Sequence, residues 1–209
     1  MLKILGRANS INVMKALWVA DEIGLAYDRT NVGGEFGGNQ EAWYRALNPN
    51  GVIPTIDDDG YILWESNSIV RYLAAKHAAG TLWPSDPRAR GEADRWMDWQ
   101  LTTIQDGMRV LFWGWIRTAP EKRDLAVLEA ARPATAALWQ RLDAHLSTRA
   151  YSGGDNFTMG DIPVGCMCHR WLTLPFRRDD LPAMPYLEAW YERLLQRPAY
   201  RKNVAVKLT

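Results

Sequence analysis

One short segment, Gly51-Val52-Ile53-Pro54-Thr55-Ile56, constrains the fold more than any other part of the chain. Proline has no N–H to donate to a sheet ladder, so Pro54 belongs at the first position of a strand, with the backbone groups beside it left free to bind something. A second apolar run at residues 62–64 leads into Glu65 and Ser66. We expect these two residues to close a strand and open a helix, where a carboxylate, a hydroxyl and unpaired N–H groups come together. A ligand with a free ammonium and a free carboxylate suits such a site.

The composition is that of a folded chain of one or two domains. Of the 209 residues, 47% are apolar and 23% charged, which makes disorder unexpected. The net charge of +1 predicts neither a nucleic-acid partner nor a membrane-surface partner. No apolar run is long enough to span a membrane and no secretory leader stands at residues 1–4, so we expect a cytoplasmic location. The only two cysteines, Cys166 and Cys168, point away from each other on a helix and predict no disulfide.

The first 80 residues carry the signals of a small α+β domain. Apolar patterning predicts a strand at residues 2–5, a helix with one buried stripe at 12–23 and a second strand at 27–32, which together form a β-α-β unit. Further along, the pattern predicts a helix at about 40–47, a strand led by Pro54, a strand at 61–64 and a helix at 66–77.

The second part of the chain carries no strand signals. A segment with two prolines, residues 81–87, is the predicted linker. Helical periodicity then marks residues 88–118, 121–148, 158–172 and 185–196, so 88–209 is predicted to be an all-α helical bundle. Thr158 and Asp161 have the spacing at which a hydroxyl and a carboxylate cap each other's helix-start N–H groups, the arrangement called a capping box.

Residues 48–54 read Asn-Pro-Asn-Gly-Val-Ile-Pro, and this segment, followed by a strand that ends in Glu-Ser, resembles the glutathione-binding half of the cytosolic glutathione transferases. That family carries a capping box at the corresponding place, so the resemblance covers nearly the whole chain. It implies a thioredoxin-like N-terminal domain with a mixed four-stranded sheet, followed by the all-α domain. It also implies that Pro54 is cis, that the backbone of Ile53 pairs with the cysteinyl part of glutathione, and that Glu65 and Ser66 hold the γ-glutamyl end.

Two contacts depart from the pattern of the family's phi branch. Val52 stands where phi members often place a glutamine, so one side-chain contact with glutathione is lost. The family usually meets the glycyl carboxylate with a basic side chain, whereas this chain offers the neutral amides of Asn39 and Gln40. Backbone N–H groups at residues 37–38 and the side chain of Arg7 are the alternatives for that contact.

The thiol of glutathione needs a group that favours its anion, because a free thiol has a pKa near ~8.5 and only the thiolate is the nucleophile. Ser10 lies between the first strand and the first helix, where a helix N-terminus and a hydroxyl both stabilise a thiolate. The Ser-x-Asn-Val spacing resembles the serine-type transferases of the phi and theta branches, whose serine faces the sulfur. Asn12 is the second candidate. The other interpretation is that Ser10 or Asn12 simply caps the helix.

Three residues of the first long helix, Met108, Phe112 and Trp113, are the candidates for the wall of an electrophile pocket. An aromatic stripe at helical spacing more often belongs to a core, but the resemblance implies that this helix contacts the second substrate. The sequence Cys-Met-Cys-His at residues 166–169 has no second ligand cluster, so we assign it to packing and expect no metal.

The resemblance implies an enzyme that transfers the thiolate of glutathione to small apolar electrophiles, a detoxification activity. Glutathione is then a co-substrate, and no other cofactor is expected. The family usually forms homodimers, so we expect a two-fold dimer. The alternative is a non-catalytic glutathione- or ligand-binding module of the same fold. The presence of Pro54, Glu65 and Ser66 together favours the enzyme.

Overall fold

The computed structural model describes all 209 residues, and the chain divides into two compact units. Unit 1 comprises Met1–Ser85 together with Arg197–Val206, and unit 2 comprises Asp86–Gln196 together with Lys207–Thr209. No helix in either unit is both long and apolar enough to cross a membrane.

Unit 1 is built on a mixed four-stranded sheet. Its strands are β1 (Leu2–Leu5), β2 (Tyr27–Thr30), β3 (Thr55–Asp58) and β4 (Tyr61–Trp64), in the order β2-β1-β3-β4. The β1–β2 pair is parallel, and the β1–β3 and β3–β4 pairs are antiparallel. β3 begins directly after Pro54, as the missing N–H of proline requires.

Three helices complete the main part of unit 1: α1 (Ile11–Glu22), α2 (Ala42–Leu47) and α3 (Ser66–His77). The helices α1 and α3 pack against each other, and their facing sides bury apolar residues such as Leu17 and Leu73. This packing brings the starts of α1 and α3 close together. The predicted thioredoxin-like α+β fold of the first part of the chain is confirmed.

Unit 2 is all helical, as predicted. Its α-helices are α4 (Pro87–Trp99), α5 (Gln105–Phe112), α6 (Leu125–Leu146), α7 (Asp161–Thr173) and α8 (Pro185–Leu195). The predicted helix at 88–118 is continuous but not regular, because π-helical turns at Gln100–Ile104 and Trp113–Arg117 flank α5. Two glycines let α5 and its extension approach α6: a Cβ on Gly107 would collide with Thr135, and one on Gly114 would collide with Leu128.

The last helix, α9 (Pro198–Asn203), departs from the predicted second domain at residues 88–209 because the structure groups it with unit 1. Tyr200 is fully buried, with its ring centroid 4.6 Å from that of Trp18 in α1. Arg197 forms an ion pair with Glu22, also in α1. Six residues are too few to show a helical period, so the sequence pattern did not predict α9.

Candidate active site

The Ile53–Pro54 peptide bond is cis, and the N–H and carbonyl of Ile53 make no hydrogen bond within the protein. The preceding carbonyl, that of Val52, accepts hydrogen bonds from the Tyr44 hydroxyl at 2.7 Å and from Asn48 Nδ2 at 2.8 Å. The turn is therefore anchored at Val52 while both backbone groups of Ile53 stay available to a ligand.

A buried polar network stabilises this turn. The Tyr44 hydroxyl lies 2.8 Å from Thr55 Oγ1, and Asn48 Nδ2 donates to the same oxygen at 3.1 Å. All three side chains are fully buried, and such networks fix geometry because each polar group has a partner. The roles of Tyr44, Asn48 and Thr55 were not predicted from the sequence, although polar residues that flank a turn proline are a usable signal.

Asn39 and Gln40, predicted to meet the glycyl carboxylate, have another role in the structure. Asn39 Nδ2 and Gln40 Nε2 both donate to the carbonyl of Gly51, at 2.7 and 2.8 Å. The Gly51 carbonyl lies before the turn, and its hydrogen-bond donors are these two side-chain amides. Gln40 Oε1 in turn accepts a hydrogen bond from the exposed guanidinium of Arg45 at 2.8 Å. A basic side chain, which was not predicted from the sequence, therefore lies next to Gln40.

The alternatives for the glycyl carboxylate lie in the same part of unit 1. Arg7 Nη1 donates to Asn9 Oδ1 at 2.5 Å, and its side chain lies against the backbone of Gly34. Gly37 and Gly38 both have positive φ, which a glycine adopts without steric cost.

Glu65 is the N-cap of α3 and has a φ of 70°, a value that is uncommon for any residue except glycine. Its exposed carboxylate makes no hydrogen bond or ion pair with the protein. The surrounding fold holds this backbone strain, which costs on the order of 1–3 kcal/mol and is typical of functional positions. A carboxylate is thus presented to solvent at the start of α3.

Ser66 is the first residue of α3, directly after the N-cap Glu65. Its hydroxyl is buried, donates to Asn12 Oδ1 at 3.3 Å and accepts from Lys15 Nζ at 3.3 Å. These contacts join the first turn of α3 to the first two turns of α1, so Asn12 and Ser66 lie next to each other.

Ser10 stands at the N-cap position of α1, yet its side chain makes no capping hydrogen bond. Only its backbone carbonyl takes part in the helix, accepting from the N–H of Met14 at 2.8 Å. The hydroxyl is half-buried and has no partner in the protein. A helix N-terminus with an uncommitted hydroxyl is a ready site for an anion.

The three predicted wall residues of unit 2 are not brought to one surface. Met108 and Phe112 are only 1% and 5% exposed, and the guanidinium of Arg170 covers the Phe112 ring at 3.7 Å. Both belong to the packed side of α5, which removes them from a substrate-facing wall. Trp113 is 60% exposed and, with Arg109 and Val110, lines an open cavity of about 390 Å³.

The capping box at the start of α7 is fully buried and more extensive than its sequence spacing implies. Asp161 accepts from the backbone N–H of Thr158 at 2.9 Å and of Ser152 at 2.8 Å, and from Trp190 Nε1 at 3.0 Å. The Thr158 hydroxyl faces the same carboxylate at 3.5 Å and does not cap the Asp161 N–H, which donates to the Thr158 carbonyl. Burial raises the pKa of Asp161, while these donors act in the opposite direction.

The residues of the Cys-Met-Cys-His segment are all buried in α7. His169 Nδ1 lies 2.8 Å from the hydroxyl of Tyr191, and burial raises the pKa of the Cys168 thiol well above its usual value. These side chains pack inside unit 2.

Comparisons with known proteins agree with this geometry. The family model described as glutathione S-transferase, N-terminal domain, matches residues 9–76, and that described as glutathione S-transferase, C-terminal domain, matches residues 126–193. The chain is 39% identical to glutathione S-transferase GstB of Escherichia coli strain K12 over 211 residues, which covers 100% of both proteins. It is 31% identical to glutathione S-transferase 3 of Zea mays, covering 98% of this chain and 93% of that protein.

Among solved structures, the chain resembles the theta class glutathione S-transferase from the citrus canker pathogen Xanthomonas axonopodis pv. citri with glutathione bound. The TM-score is 0.95 at 50% identity, and the match covers 100% of this chain and 99% of the other. The chain therefore belongs to the glutathione S-transferase family.

Proposed function

We propose that this protein is a serine-type glutathione transferase that joins the thiolate of glutathione to small apolar electrophiles. The observation that carries the proposal is the pair of uncommitted groups in unit 1: the backbone of Ile53 beside cis-Pro54, and the carboxylate of Glu65 at the start of α3. The first suits the peptide-like cysteinyl part of glutathione. The second suits the ammonium of its γ-glutamyl group. The carboxylate of that group then accepts hydrogen bonds from the Ser66 hydroxyl and from N–H groups at the start of α3.

In this proposal Ser10 stabilises the thiolate and does not itself attack. Its hydroxyl, which has no partner in the protein, donates to the sulfur, and the N-terminus of α1 adds its partial positive charge. The thiol proton passes to solvent, the sulfur forms a bond to the electrophilic carbon, and the leaving group departs with the bonding electrons. Asn12 is the reserve candidate, because its amide lies in the same turn of α1.

The second substrate is proposed to contact the exposed part of α5 and of the π-helical turn that follows it, Trp113–Arg117. Trp113 presents a large flat apolar surface there, next to Arg109 and Val110. Aromatic rings of this kind bind flat apolar ligands. Holding both reactants close together raises the reaction rate further, in addition to the effect of the lowered pKa of the glutathione thiol.

The experiment that tests this proposal compares Glu65→Gln with Asp28→Asn, each of which removes one exposed negative charge from unit 1. Glu65→Gln is expected to weaken glutathione binding by about 1.5–3 kcal/mol, the scale for loss of a hydrogen bond to a charged group. Asp28→Asn is expected to leave it unchanged. Calorimetry gives the affinities, and conjugation of an aromatic halide gives the activity. Equal glutathione affinity of the wild type and Glu65→Gln would contradict the assignment of Glu65 to the binding site. Glutathione binding without conjugation would favour the non-catalytic module.

We further propose that the protein acts in detoxification in the cytoplasm, as a two-fold homodimer. Both cysteines are buried and form no disulfide, which suits a reducing compartment. Sedimentation of the purified protein tests the dimer, and fractionation of cells tests the location.

A further inference from the structure

Lys15 is a lysine with none of its surface exposed, at the start of α1 in unit 1. Its ammonium donates to Ser66 Oγ at 3.3 Å and to Asn67 Oδ1 at 3.1 Å. Both acceptors belong to the first turn of α3, where the γ-glutamyl group of glutathione is proposed to bind. Lysines are seldom fully buried, because removing their charge from water is costly.

The chemistry of the ammonium fixes the direction of the bonds around Ser66. An ammonium has three donors and no acceptor, so the Ser66 oxygen must accept from Lys15. The one proton of the Ser66 hydroxyl is then committed to pointing away from Lys15. In the structure this proton is given to Asn12 Oδ1, at 3.3 Å. A ligand carboxylate at the start of α3 would compete for it, because a charged acceptor makes the stronger hydrogen bond.

We infer that Lys15 is a positioning residue for the carboxylate of the γ-glutamyl group: it orients the Ser66 hydroxyl as a donor and holds the first turn of α3 toward the ligand. This inference rests on the proposed function, since it takes glutathione to be the ligand. Lys15 does not touch glutathione in this arrangement and acts through Ser66 and Asn67. A purely structural link between α1 and α3 would have no such selectivity for one group of the ligand.

The experiment compares two ligands on the full chain by calorimetry. One is glutathione, and the other is the analogue in which 4-aminobutanoyl replaces the γ-glutamyl group, so that the amine is kept and the carboxylate is lost. Lys15→Met is expected to weaken glutathione binding about tenfold, and to change binding of the analogue by less than about twofold. The analogue offers no acceptor for the Ser66 proton, which is why its binding is spared.

Lys15→Gln is a milder second variant, for the case that an apolar side chain prevents folding. Its amide both donates and accepts, so it no longer fixes the direction of the Ser66 proton, and we expect the same selective loss. Adding Ser66→Ala to Lys15→Gln is expected to weaken glutathione binding by less than about twofold more, because both changes act through one hydroxyl. The matched control, Lys3→Met, removes an exposed lysine of the same unit and is expected to leave both affinities unchanged.

The outcomes separate the inference from the proposed function. A wild-type protein that binds glutathione, with Lys15 variants that lose both ligands equally or neither, overturns the positioning role and leaves the proposed function standing. A wild-type protein that binds neither ligand overturns the proposed function, and the role of Lys15 with it.

Discussion

The starts of α3 and α7 each carry an acidic residue, and the structure uses the two in opposite ways. Glu65, at the start of α3, is exposed and has no partner in the protein. Asp161, at the start of α7, is fully buried and accepts three N–H donors, including the indole of Trp190. An acidic residue at a helix start is thus left available to a ligand where its oxygens remain unpaired, and it acts as a structural cap where they are all used. Substitutions in these two regions test that difference.

Asp161→Ala should cause the largest loss of stability. It leaves the N–H groups of Ser152, Thr158 and Trp190 buried without an acceptor, and each such group costs about 1–3 kcal/mol. We expect the free energy of unfolding to fall by about 3–5 kcal/mol, measured in urea. The glutathione affinity of the folded protein should be unchanged. A fully stable variant that had lost glutathione binding would show that this carboxylate contacts the ligand.

Ser10→Ala tests a third helix start, that of α1, whose hydroxyl is left open like the carboxylate of Glu65. We expect the pKa of the bound glutathione thiol to rise by about 1–2 units, since a charge-assisted hydrogen bond contributes about 1.5–3 kcal/mol. Glutathione affinity should change much less. The ultraviolet absorbance of the thiolate, titrated against pH, measures this. Asn12→Ala is the comparison: if it moves the titration and Ser10→Ala does not, Asn12 is the activating group.

Tyr44→Phe tests the buried network that holds the turn before Pro54, and it removes no group that is proposed to contact glutathione. The hydroxyl it removes lies between the Val52 carbonyl and Thr55, but Asn48 still donates to both. We expect unfolding to become easier by about 0.5–1.5 kcal/mol. Glutathione binding should weaken less than in Glu65→Gln. An affinity loss as large as that of Glu65→Gln would mean that the position of this turn, and not the carboxylate, dominates recognition.

The smallest expected effect is a pH dependence of the free energy of unfolding that arises from His145, near the end of α6. Burial lowers the pKa of His145, and the hydrogen bond between its Nε2 and the Ser152 carbonyl, at 2.8 Å, opposes this. The charges of Arg149 and Arg95 also lower the pKa, and that of Glu92 raises it. The unfolded chain therefore takes up a proton near pH ~6.5, before the folded protein does. Stability should fall as the pH drops below ~6.5 and level off below the folded pKa. His145→Gln should flatten this part of the curve, and an unchanged slope would assign it to another group.

The candidate site can be proposed from the sequence only where it depends on local chemistry. Pro54, Glu65 and Ser66 lie within one short stretch, and the constraints on proline and on helix starts act over a few residues. The roles of Asn39 and Gln40 were not predictable in this way, since the Gly51 carbonyl that takes their amides is positioned only by the folded loop.

Helix faces were predicted less well than helix existence. The periodicity of α5 places Met108 and Phe112 on one face, but it does not say whether that face meets solvent or other helices. Packing decides this, and both side chains are buried. The buried Lys15 was missed for a related reason: nothing in the pattern of α1 tells which of its polar residues will face α3.

The return of α9 to unit 1 bears on how the protein is made. A chain leaves the ribosome from its N-terminus, so Trp18 is synthesised long before Tyr200, which packs on it. Unit 1 cannot reach its final packing until residues 86–196 of unit 2 have been translated, because α9 follows them in the chain. Through that interval α1 lacks the cover that Tyr200 gives to Trp18 in the folded protein. Most of unit 1 is thus translated before unit 2, yet its packing is completed only by a helix that follows residue 196.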